Sequence, residues 1–176
     1  LRAVVSMVSL LRFLKHRWWD DRDARRLLDA AALQRLQQRV ADSERRHSGE
    51  IRVCVEASLP LSYLWRDGHI RERALSLFGK LGVWDTEQNN GVLIYVLLVD
   101  HDIEIVADRG LARHIAPDQW QPLVAHMAEA FAQGRFEEGL ARAIDEVSAL
   151  LERHFPLTAG QAGVNELPDP VVDLRR

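Results

Sequence analysis

Six oxygen-bearing side chains could act together: Glu50, Asp85, Glu87, Asn89, Asn90 and Asp108. Carboxylates and amides without histidine or cysteine suit a hard divalent cation, Ca²⁺ or Mg²⁺, which takes carboxylate, amide and carbonyl oxygens together with water. Arg109, next to Asp108, adds a guanidinium able to counter charge developing on a phosphoryl group. These residues are scattered along the chain, so only a fold can assemble them. A structural alternative stands beside the cation: Asp85, Asn89, Asn90 and Gly91 are ordinary turn formers, and Asp108 with Arg109 would make a surface ion pair worth at most about 1 kcal/mol.

Other chemistry finds less support. Ser58, Asp100, His101 and Asp102 could meet at a second site with His101 as a base, yet aspartates also suit a tight turn. His16, His47, His69, His114, His126 and His154 show no metal-ligand spacing. Neither a GxGxxG nor a Walker pattern occurs, nor a GxSxG or Cys/His arrangement, so no catalytic residue and no organic cofactor is assigned. The single cysteine, Cys54, falls inside an apolar strand pattern and reads as a small buried hydrophobe.

The elements that must position the six residues follow from periodicity. Asp29 precedes a helix whose stripe is Leu33, Leu36 and Val40, and residues 51–58 alternate as a strand. Residues 59–68 read as a loop, unusually apolar at Leu59, Leu61, Tyr63, Leu64 and Trp65. Ile70, Ala74, Leu77, Phe78 and Leu81 mark a second amphipathic helix. The unbroken apolar run 92–99 predicts a strand covered on both faces, and Asp100 to Asp102 turn it into a hairpin with residues 103–108. Two helices follow, one entered through Pro117 and one from about Phe136 to His154, ended by Pro156.

A helical crossover makes strands 51–58 and 92–99 parallel, and the hairpin strand runs back. The economical fold is a three-layer α/β/α sandwich with a mixed, mostly parallel sheet and an antiparallel hairpin. Glu50 and Asn90 both precede their strands and Asp108 ends the returning one, so this topology gathers the six residues and Arg109 at one sheet edge. Asp100 to Asp102 and Ser58 fall at the other edge, beyond the carboxyl ends of the parallel strands, where such sheets commonly bind ligands.

Composition bounds the rest. The 176 residues, 47% hydrophobic and 28% charged, fit one globular domain with trimmed ends. A net charge of -3 offers no global positive field, and nucleic acid is not expected as a partner. Residues 1–28 form a basic, amphipathic segment; its apolar stretch Ala3 to Leu11 is too short to span a bilayer, which takes about 20 residues. Leu1 to Trp19, with Trp18 and Trp19 at its end, suits peripheral contact with a membrane or a partner groove, the alternative being a helix packed on its own domain. Residues 157–176 read as an irregular tail, laid along the domain through Leu167, Val171 and Val172.

Three stretches carry a resemblance: SGEIRVCVEAS, then ERALSLFGKLGVWDTEQNNGVLIYVLLVDHDIEIVADRGL, then W-x6-M-x3-F-x2-G-x-F-x2-G from Trp120 to Gly139. Residues 29–156 resemble the TPM-domain family, named for a thylakoid-lumen protein, a photosystem II repair factor and a nematode receptor-accessory protein. The resemblance implies an α/β/α sandwich, and it brings expectations of divalent-cation binding, acid phosphatase activity and work alongside membrane complexes. Asn89, Asn90 and Gly91 match the family's loop of Asp or Asn followed by Asn-Gly. Gly110 matches the glycine after the hairpin, but where relatives often show Gly-Tyr-Gly this chain has Asp108-Arg109-Gly110, a departure bearing on ligand preference.

VWDTEQNNGVLIY and NELPDPVV are similar to a compact proteobacterial type without the leader and membrane helix of many relatives, which implies a cytoplasmic setting at the inner membrane surface. The expected function is therefore a divalent-cation-binding interaction module with a membrane-associated protein partner. The rival is a metal-assisted acid phosphatase in which the cation polarises a phosphoryl oxygen and readies a water.

Overall fold

The apolar run after Gly91 becomes β2, Val92–Leu97, and every residue in it is buried. In the computed structural model, which describes residues 14–16, 21–65, 69–157, 167 and 170–175, β2 lies parallel to β1, Ile51–Glu56, with Ile51 opposite Val92 and Glu56 opposite Leu97. β3, Asp102–Ala107, returns antiparallel along the other side of β2. A short β4, Val172–Asp173, pairs parallel with β1, so the order is β3-β2-β1-β4. The expected mixed, mostly parallel sheet with a hairpin is present.

Alternation along the strands divides the core. Ile51, Val53, Val55, Val92, Ile94 and Val96 face one side. There they meet α1 (Asp21–Leu27), α2 (Ala30–Ser43), α6 (Pro117–Ala132) and α7 (Phe136–His154). Cys54, Leu93, Tyr95 and Leu97 face the other side, under α3 (Leu61–Trp65) and α4 (Ile70–Lys80). Helices on both faces explain why β2 shows no polar alternation. The last helix, α5 (Arg109–Ala112), is one turn after β3.

Local chemistry sets the boundaries. Asp29 caps α2 by accepting the Ala32 N–H at 2.7 Å, as its place before the helix suggested. Both long strands are two residues shorter than their periodicity. After Leu97 the chain enters a 3₁₀ turn, Leu98–Asp100, and His101 closes it at φ 54°, a left-handed conformation incompatible with a continuing strand. Residues 59–68 are not wholly loop: Pro60 starts the single turn of α3, which buries Leu64.

Described residues before α2 and after α7 take part in the domain. Ala24 and Leu28 are fully buried. Arg175 donates to the carbonyls of Ala24 and Leu28 at the end of α1 and pairs with Asp173 at 2.7 Å. The tail, expected to be irregular, thus supplies the two-residue edge strand. Of Leu1 to Trp19 only Leu14, Lys15 and His16 are among the described residues, so the expected membrane-facing arm lies mostly outside them. No helix among the described residues is long and apolar enough to cross a membrane.

Candidate functional site

The amino end of the parallel strands is built by backbone interlock. Beyond the strands, Asp108 N–H donates to the Gly91 carbonyl and Gly110 N–H to the Asn89 carbonyl, both at 2.8 Å, so the ladder continues on either side of Asn90. Two glycines permit this approach. A Cβ on Gly91 would strike the Val83 carbonyl, and one on Gly110 would strike the carbonyls of Gln88 and Asn89. Asn89 takes φ 53°, which asparagine tolerates better than most residues.

This edge contains two unsatisfied oxygens. Asn90 is fully buried; its N–H donates to Thr86 Oγ1 at 3.0 Å and its Nδ2 to Ser48 Oγ at 3.3 Å, but its Oδ1 has no hydrogen-bond partner among the described residues. Asp108 caps α5, its Oδ1 accepting the Arg109 N–H at 2.7 Å, while the buried Oδ2 likewise finds no partner. Leaving a buried polar atom unmade costs about 1–3 kcal/mol, more when charged, so two at one edge call for an explanation.

The other predicted residues divide by exposure. Glu50, 4% exposed, precedes β1, and its carbonyl accepts the Val92 N–H. Asp85 and Glu87 are on the exposed outside of the loop. Arg109 turns its Nε to Asn89 Oδ1 at 3.2 Å, so the Asp108-Arg109 step acts as a helix cap and a loop clasp. Among the described residues no group of three or more His, Cys, Asp or Glu side chains is gathered so as to hold a metal ion. A cation here would have to draw on amide and backbone oxygens as well as carboxylates, which Ca²⁺ and Mg²⁺ accept.

The opposite edge is filled by the chain itself. His16 Nδ1 accepts the Leu59 N–H at 3.1 Å, so its Nε2 carries the proton donated to Asp100 Oδ2 at 2.9 Å. Lys15 reaches Asp100 Oδ1 at 2.9 Å. Burial works against the Asp100 charge, but the bonds from His16 and Lys15 outweigh it and hold the carboxyl well below the usual range. Both His16 nitrogens are engaged, which leaves none to act as a base. His101 sets its ring edge-on to Phe136 at 5.0 Å, and Asp102 accepts the Ile103 N–H; these are turn-building roles.

Two buried polar clusters escaped periodicity. Glu56 accepts Arg73 Nε at 2.9 Å, Arg73 Nη2 at 2.6 Å and the Tyr95 hydroxyl at 2.6 Å, with the Tyr63 ring 5.5 Å from the guanidinium carbon. Burial and the adjoining Glu56 charge push the Tyr95 hydroxyl far up. Near the candidate edge, His47 Nδ1 donates to the Gly49 carbonyl at 2.9 Å, and its Nε2 accepts from Ser148, which itself accepts from Arg46. Burial lowers the His47 pKa to about 4. This has the form of a nucleophile and its base, but Ser148 and His47 are 0% and 1% exposed, so no substrate reaches them. Burial also pushes the Cys54 thiol up to about 12, leaving it inert at neutral pH.

The TPM domain matches residues 22–150. The BA42 protein of the psychrophilic bacterium Bizionia argentinensis, solved by NMR, is 29% identical over 83% of this chain and 94% of its own, with a TM-score of 0.73. The N-terminal domain of a protein from P. gingivalis, also solved by NMR, is 23% identical over 73% of this chain and 79% of its own, with a TM-score of 0.59, a likeness of fold. No curated protein matches the chain.

Proposed function

The chain belongs to the TPM-domain family, and from that premise we propose that it is a divalent-cation-binding interaction module. The Asn-Asn-Gly and Asp-Arg-Gly loops form its cation edge, Ca²⁺ or Mg²⁺ is its ion, and a membrane-associated protein is its partner. One observation carries the proposal: Asn90 Oδ1 and Asp108 Oδ2 are buried at adjoining loop segments without hydrogen-bond partners among the described residues. Native interiors rarely leave such atoms unmade, and a hard cation is a partner that both oxygens favour.

Asn90 and Asp108 would hold the ion, with the buried Glu50, at the same end of the sheet, as a candidate for further charge and the exposed Asp85 and Glu87 at the rim. Bound there, the cation would supply positive charge that draws an acidic or phosphorylated partner surface toward the loop edge. The basic, tryptophan-ended stretch Leu1 to Trp19 supports a membrane-associated setting.

Calorimetric titration with Ca²⁺ and with Mg²⁺, on wild type beside Asp108→Asn and Asn90→Ala, tests the proposal. Saturable binding in wild type and at least about tenfold weaker binding in each variant is the expected result. Equal isotherms for all three would remove the edge from consideration. A phosphatase assay run on wild type and Asp85→Ala separates the rival activity: metal-dependent turnover lost in the variant would turn the binding module into an enzyme.

A further inference from the structure

We infer that Ser48 is the residue that orients the Asn90 amide and so presents Asn90 Oδ1 to the cation edge, an inference that rests on the cation-binding proposal. Directionality of the hydrogen bonds supports it. Ser48 Oγ donates its proton to Gln88 Oε1 at 3.2 Å, which leaves only a lone pair toward Asn90. Asn90 must answer with a donor, and it does: Nδ2 lies 3.3 Å from Ser48 Oγ. The amide is planar, so committing Nδ2 to Ser48 turns Oδ1 the opposite way, where it is buried without a partner among the described residues.

Ser48 is itself held from the far side. Its N–H donates to the Phe155 carbonyl at 2.9 Å, just past the end of α7. His47 is fastened to Gly49 and Ser148, and Gly49 lies so close to Leu151 that a Cβ there would collide with it. The carboxyl end of α7 therefore sets the position of a hydroxyl that sets an amide. Nothing in the spacing of SGE pointed to this, because the serine acts through Asn90 and not on a ligand.

Wild type, Ser48→Ala, Ser48→Thr and Gln88→Leu would be compared by two readouts: Ca²⁺ affinity, and the side-chain amide signals of Asn90 by NMR without metal. Losing the hydroxyl in Ser48→Ala, or its acceptor in Gln88→Leu, frees the amide to turn. Each should weaken Ca²⁺ binding by about tenfold, the scale for residues that orient a metal ligand, and each should move the Asn90 amide signals. Ser48→Thr keeps the hydroxyl and should bind as wild type does. Because Gln88 is exposed, its loss weakens binding without unfolding the domain.

Unchanged Asn90 amide signals in both Ser48→Ala and Gln88→Leu would overturn the orienting role. So would wild-type Ca²⁺ affinity in both. Failure of wild type to bind Ca²⁺ at all would instead sink the cation proposal, and the metal-free amide signals would still decide whether Ser48 orients Asn90.

Discussion

Arg73 closes a two-pronged contact on Glu56 between α4 and β1, with Nε at 2.9 Å and Nη2 at 2.6 Å from the two carboxylate oxygens and both residues less than a tenth exposed. Truncating one side leaves an uncompensated buried charge, which costs about 3–5 kcal/mol. Arg73→Met should lose that much in urea unfolding. The double variant Glu56→Gln with Arg73→Met keeps an acceptor for Tyr95 and should be more stable than Arg73→Met alone. A single variant within about 1 kcal/mol of wild type would show that the pair is not desolvated as described.

His47 gives the fold an acid-sensitive joint. Burial lowers its pKa from the ordinary 6.5 to about 4, so the folded state resists a proton that the unfolded chain accepts. Its contribution is complete above pH 6.5 and is lost as the pH falls toward 4, amounting to about 3 kcal/mol at most. Unfolding free energy measured between pH 7 and 4 should fall along that window. In His47→Asn that part of the slope should disappear.

The clip between His16 and Asp100 should be separable from the rest of the fold. His16→Ala leaves the Leu59 N–H without its acceptor and should cost about 1–3 kcal/mol. Limited trypsin digestion should then cut at Lys15 well before the domain unfolds. The depressed Asp100 carboxyl stabilises the fold above its ordinary value of 3.8, and this contribution is lost as the pH falls further. Asp100→Asn should remove that acid-limb loss.

Three glycines should behave differently when replaced. Gly91→Ala and Gly110→Ala put a methyl group against backbone carbonyls of the neighbouring loop and should each destabilise by about 1–3 kcal/mol or more. Gly79→Ala, in α4, meets nothing within 4 Å and should stabilise by about 0.5–1 kcal/mol. Thermal melts of the three variants would show the contrast.

Most of the architecture was legible because burial leaves a periodic mark. The stripe of α7, the fully apolar β2 and the helical crossover that makes β1 and β2 parallel follow from spacing and chirality. α1 and β4 were not visible in the same way. One is a seven-residue basic helix anchored by Ala24, with Leu28 buried just past its end, and the other is two residues recruited by the edge of β1. The candidate edge was legible as a place and less so as a mechanism. Strand direction brings Asn90 beside Asp108, but which oxygens stay unpaired depends on three-dimensional partners such as Ser48 and Thr86. Arg73 and Glu56 were missed because a charge on an amphipathic helix usually faces water, and only tertiary packing shows when it does not.

Mapping backbone amide shifts during Ca²⁺ and Mg²⁺ titration of the full chain tests the cation edge most directly. Saturable shifts concentrated at Asn89 to Gly91 and Asp108 to Gly110, reaching Ser48 and Glu50, are the predicted result. A titration that leaves those amides unmoved, or that moves only exposed carboxylates elsewhere, would contradict a cation at Asn90 and Asp108.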